Sequence, residues 1–122
     1  MPCDFLIVQR YDNIVLAKVA KERLLEPLVI AALAEDLNAE VQRSVLRMSL
    51  VLDLADVGYL SSAMIGKLVA VNKAVKAIKG RMAIAGLKPA LLQMFKVTGL
   101  DKLFEFSPEA EQVILAYRRN RL

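Results

Sequence analysis

The chain has 122 residues, 57% of them hydrophobic, with 17 Lys and Arg against 13 Asp and Glu for a formal charge of +4. That apolar content suits one packed domain over residues 1–122, while no apolar run approaches the ~18 to 20 residues a bilayer demands, so no membrane span is expected. Histidine and tryptophan are absent and there is one cysteine, which removes the commonest general base, the His-bearing triads, the usual zinc ligand and any internal disulfide.

The opening "MPCDFLIVQR" has no basic lead, long apolar stretch or small-residue cleavage site, so no secretory signal and a cytoplasmic location are expected. Two apolar runs at about Phe5–Gln9 and Ile14–Val19, with Asp12-Asn13 between them, predict a hairpin. In "EPLVIAALAEDLNAEVQR", Leu28, Val29, Ala32, Leu33, Leu37 and Val41 recur at helical spacing behind Pro27. "MSLVLDLADV" is apolar on both alternations except at Asp53, the pattern of a strand covered on both faces in mid-sheet. The segment from Ser61 to Gly80 reads as a helix with Met64, Leu68, Val71, Val75 and Ile78 on one face, Lys67, Lys73, Lys76 and Lys79 elsewhere, and Gly80 as its stop. "RMAIAGL" is a short strand ending at Gly86, Pro89 opens a helix through about Val97, and "KLFEF" is a last strand. Ser107 is then expected to cap a final helix, with Pro108 at its first position and Glu109 and Glu111 in its first turn. The order β-β-α-β-α-β-α-β-α predicts an α/β domain with a mixed, mostly parallel sheet of five strands and four helices.

The chemistry-bearing residues are few. Cys3 stands alone near a terminus and reads as a frayed or packed cysteine rather than a nucleophile. Asp53 and Asp56, three apart in an extended stretch, point to opposite faces and read as a loop acceptor and a solvated acid; a metal needs more ligands than these. No phosphate-cradling glycine motif occurs, so no enzyme, cofactor or metal is expected. Basic residues are thinly spread until the terminal "RRNR", and aromatics are 6%, so no direct nucleic-acid partner is expected.

Ser61 and Ser62 fall where strand gives way to helix. A hydroxyl there accepts from a free N–H of the first turn, a cap worth about 1 kcal/mol. The same place receives a phosphate well, because unpaired N–H groups and the positive end of the helix dipole face it. Met64 and Ile65 read as exposed anchors for a partner, although at this helical spacing Met64 is more commonly core. The lysines, Lys67 first among them, read as a solvated face or as a rim that steers an acidic partner.

The stretch "SLVLDLADVGYLSSAMIGKLVAVNKAVKAIKGRMAIAGLKPALLQMFKVTGLDKLFEF", about residues 48 to 106, resembles the STAS domain of bacterial anti-sigma factor antagonists. The shared features are "LDL" at 52–54, "SS" at 61–62, the basic helix ending in Gly and the following strand with its "TGL" segment. The resemblance implies a STAS-type sheet with helices mainly on one face, and a binding module for an anti-sigma factor that is also a serine kinase. It implies phosphorylation at Ser61, with Ser62 as the alternative, reversal by a phosphatase, and a partner surface over Ser61, Ser62, Ala63, Met64, Ile65 and Lys67. Leu60 stands where the family has Asp, and Ala63 where it has Gly. The competing expectation is a constitutive STAS scaffold, or an accessory subunit of a regulatory or transport assembly, without serine phosphorylation.

Overall fold

The computed structural model describes residues 4–44 and 47–119; Cys3 and the last two residues of "RRNR" lie outside them. The elements are β1 (Leu6–Tyr11), β2 (Ile14–Val19), β3 (Arg23–Leu24), α1 (Pro27–Arg43), β4 (Ser49–Asp53), β5 (Tyr59–Leu60), α2 (Ser62–Ala77), β6 (Arg81–Ala85), α3 (Pro89–Val97), a 3-10 turn (Leu100–Leu103), β7 (Glu105–Ser107) and α4 (Ala110–Arg119). The main sheet runs β1-β2-β4-β6-β7. β1 is antiparallel to β2, and the other pairings are parallel. The hairpin closes at the Tyr11–Ile14 pair, with Asp12 at φ 58° in the two-residue turn, a conformation Asp tolerates better than most residues.

β4 lies at the centre, as its unbroken apolar pattern predicts. Leu50 and Leu52 join one core with Leu33 and Leu37 of α1, Leu68, Val71 and Val75 of α2, and Phe95 of α3. Val51 faces the opposite way and joins Ile14, Ala83 and Ala85 under Val113, Ile114 and Tyr117 of α4. Three helices therefore cover one face and α4 the other. Phe95 anchors the first layer, edge-on to Phe104 and Phe106 at centroid distances of 5.6 and 5.5 Å.

Four expectations are corrected. Leu28 is 85% exposed, because it sits roughly 200° around α1 from Ile30; the buried stripe is Ile30, Leu33, Leu37 and Val41. The left-handed residue closing α2 is Lys79, at φ 59°, while Gly80 is required for close approach, since a Cβ there would lie 2.3 Å from the carbonyl oxygen of Met48. "KLFEF" starts as a 3-10 turn whose end is held by the Asn72 side-chain amide donating to the Leu103 carbonyl at 3.0 Å, so the strand is displaced to Glu105–Ser107. Ser107 does not cap α4: it pairs with Ala85, its carbonyl accepts from Gly86 N–H at 2.9 Å, and the helix begins only at Ala110. Pro108 and Glu109 are thereby left in the connection.

Candidate functional site

Two miniature strands build the amino end of α2. β3 and β5 pair in parallel, Arg23 with Tyr59 and Leu24 with Leu60, and the ladder continues one bond further through Ser61 N–H to Leu24 O at 3.2 Å. Alternation along extended backbone turns Leu24 and Leu60 into the core, where they are 1% and 5% exposed. The same alternation puts Arg23, Leu25, Tyr59 and Ser61 on the outer side. Leu25 and Tyr59 are 43% and 47% exposed, and the Arg23 guanidinium lies 4.7 Å from the Tyr59 ring centroid. Two-residue strands have no period to detect, so this apolar collar had no signal in the sequence.

Ser61 is the N-cap of α2, with extended backbone at φ −92°, ψ 159°. Its Oγ accepts from Met64 N–H at 3.3 Å, and its carbonyl accepts from Met64 and Ile65 at 3.1 and 3.3 Å. The residue is half-buried, whereas Ser62, Ala63 and Lys67 are exposed. Met64 and Ile65 are not displayed anchors: both are buried, at 0% and 2% exposure. Met64 shares the sheet-facing stripe of Leu68, Val71 and Val75, and burying that stripe stabilises the helix more than display of any one member. Ile65 instead floors a shallow apolar groove of about 310 Å³ between α2 and α3, whose walls include Ser62, Ala90, Met94 and Val97.

The loop before β5 is held from several sides. Asp53 Oδ1 accepts from Ala55 N–H at 3.0 Å. Lys88 Nζ donates to the carbonyls of Ala55 and Val57 at 2.5 and 3.2 Å. Glu22 O accepts from Gly58 and Tyr59 at 2.8 and 3.0 Å. Asp56 faces Lys18 at 3.9 Å with both side chains about half exposed, so the two acids serve separate ends of the loop. Among the described residues no cluster of three or more acids or cysteines is arranged to hold a metal, and no helix is long and apolar enough to cross a membrane. The arrangement offers a displayed hydroxyl at a helix start, an apolar collar beside it and a groove behind it.

The family model of the STAS domain matches residues 9–113. The chain belongs to the STAS domain family. The match takes in the whole of α2 and the loop that leads to it. This STAS domain is 29% identical over 96 residues to BtrV of Bordetella bronchiseptica strain RB50, named as a candidate anti-sigma factor antagonist, across 77% of this chain and 83% of the relative. Its fold is similar to that of an anti-sigma factor antagonist STAS protein from Planctomyces limnophilus, with TM-score 0.79, 20% identity, and 91% and 96% of the two chains covered. It is also similar to the anti-sigma factor antagonist SpoIIAA in its unphosphorylated form, with TM-score 0.75, 12% identity, and 96% and 97% covered. For Bacillus SpoIIAA in the phosphorylated form the TM-score is 0.68 at 14% identity, with 91% and 98% covered.

Proposed function

We propose that this STAS domain is an anti-sigma factor antagonist-type binding module, that it docks an anti-sigma factor/serine kinase around the amino end of α2, and that phosphorylation of Ser61 switches the docking off. One observation carries the reading: Ser61 is a half-exposed N-cap whose outer neighbours in the β3–β5 ladder are the exposed Leu25 and Tyr59. A phosphate there brings about −1.5 to −2 charges to free helix N–H groups, which the fold tolerates. A partner seated on the collar would have to desolvate that charge, which is costly. Ser62, exposed at the first helical position, is the alternative acceptor. Ala63 and Lys67 complete the displayed surface, and a phosphatase would reset it. The relative named as an anti-sigma factor antagonist and the two phosphorylation states of SpoIIAA support the class of function.

A second reading has its own observation. Leu60, buried in β5 at 5% exposure, puts an apolar side chain where a carboxylate would adjoin the serine, which favours a constitutive scaffold bound without serine chemistry. Incubation with a kinase-type anti-sigma factor and ATP, followed by phosphosite mapping by mass spectrometry, separates the two. A phosphate lost in Ser61→Ala and retained in Ser62→Ala supports the switch. Tight binding with neither serine modified supports the scaffold.

A further inference from the structure

The charge of this domain is unevenly distributed. Residues 61–100 contain seven Lys and Arg and no Asp or Glu, although the whole chain has 17 cations against 13 acids. That stretch contains both helices that wall the apolar groove over Ile65. On α3, Val97 stands 76% exposed at the groove wall, beside the exposed Lys96. On α2, Lys73 and Lys76 stand eleven and fourteen residues beyond Ser62, close to whole numbers of turns, so they lie on the same side of the helix as Ser62, about 16 and 21 Å further along its axis and past the end of the groove. Both are exposed, and none of these three lysines forms an ion pair among the described residues.

From this juxtaposition we infer that the α2–α3 groove is a docking site for an acidic amphipathic helix of the protein partner. Apolar side chains of that helix cover Met94 and Val97, and its carboxylates, where it continues along α2, meet Lys73 and Lys76. The occupant follows from complementarity: an apolar floor about 310 Å³ in volume is too small for a folded core but fits a row of side chains. The cationic flank of α2 beyond the groove selects the opposite sign and repels a basic helix. The inference rests on the binding-module reading and adds the chemistry of the partner, with Ser62 at the groove's edge joining it to the phosphorylation site.

The test uses the full chain and a fluorescein-labelled amphipathic peptide of Leu and Glu, about 16 residues or some four turns long, followed by anisotropy. The same peptide with Lys in place of Glu, and phosphatidylserine vesicles, are the comparison probes. The acidic peptide is expected to bind at least about tenfold more tightly than the basic one, and to weaken by about tenfold in Lys73→Glu/Lys76→Glu and on raising the salt. Val97→Asp, at a position too exposed to disturb the core, should weaken it similarly, with circular dichroism checking that the fold is intact. Equal binding of both peptides, no binding of the acidic peptide, or capture by vesicles alone overturns the proposal. The readout needs neither ATP nor kinase. Peptide binding with no phosphate on either serine keeps the groove and sinks the switch, and a phosphate on Ser61 without peptide binding does the reverse.

Discussion

The backbone N–H of Ser61 donates to the carbonyl oxygen of Leu24 at 3.2 Å. This bond attaches the first residue of the α2 cap to the segment that leads into α1, 37 positions earlier in the chain. It fixes the extended backbone of Ser61, so the hydroxyl is held over the helix start before any partner arrives. The backbone donor is spent inward and the side chain is left outward, which is the geometry a modifiable cap requires.

Replacement of that side chain separates capping from signalling. Ser61→Ala should cost about 1 kcal/mol, read as a lower urea midpoint with unchanged slope. Ser61→Asp should recover most of that loss, because Asp caps as well as Ser and suits the dipole. It should nevertheless bind the anti-sigma factor more weakly than wild type. Equal binding by the two variants would remove charge as the signal.

Gly66 and Gly80 should respond in opposite directions to the same change. A Cβ on Gly66, exposed within α2, meets nothing within 4 Å, so Gly66→Ala should stabilise by about 0.5–1 kcal/mol through helix propensity. On Gly80 the added carbon would lie 2.3 Å from Met48 O and 2.9 Å from Val75 Cγ1, so Gly80→Ala should destabilise by about 1–3 kcal/mol. Thermal melts of the two variants should move apart from wild type in opposite senses.

Alkaline pH should loosen α4 from the sheet. Tyr117 is buried, its hydroxyl donates to Glu105 at 3.1 Å, and the Arg81 guanidinium stacks 4.4 Å from its ring centroid. Burial, with the negative Glu105 beside it, holds the phenol pKa above its ordinary value. A phenol in the unfolded chain loses its proton near pH 10 while the folded one still keeps it. Stability contributed by the neutral phenol is therefore complete below about pH 10 and declines as pH rises beyond it. Denaturant midpoints measured from pH 8 to 11 should show that decline in wild type and a flatter profile in Tyr117→Phe, which itself should cost about 1 kcal/mol for the lost hydrogen bond. Parallel profiles would assign the decline to other groups.

Lys88→Met should weaken the loop before β5 while leaving the core intact. It removes the ammonium that bridges the carbonyls of Ala55 and Val57, at about 1–2 kcal/mol. Hydrogen exchange should quicken first at the amides of Gly58, Tyr59 and Ser61, because that loop carries β5 into register with β3. Uniform acceleration across β4 and β6 would mean that Lys88 supports the whole fold instead.

The long elements were legible because burial imposes a period on them. Leu50, Val51 and Leu52 had to be apolar on both alternations once helices covered both faces of β4, and Met64, Leu68, Val71 and Val75 had to recur at helical spacing to reach one core. The pair Ser61-Ser62 was visible as a helix start because only a few side chains cap well. Contacts distant in sequence leave no such trace. β3 and β5 are two residues each and exist only because Leu24 and Leu60 meet across the fold; no window of sequence contains both. The exposed collar of Leu25 and Tyr59, the burial of Ile65, and the groove between α2 and α3 follow from that packing. Local patterning thus determined which segments are helix and strand, since each must satisfy its own backbone and present one apolar face. Only tertiary structure decided which hydroxyl and which apolar side chains share the surface, because that depends on how separate segments dock and not on the order of residues within any one of them.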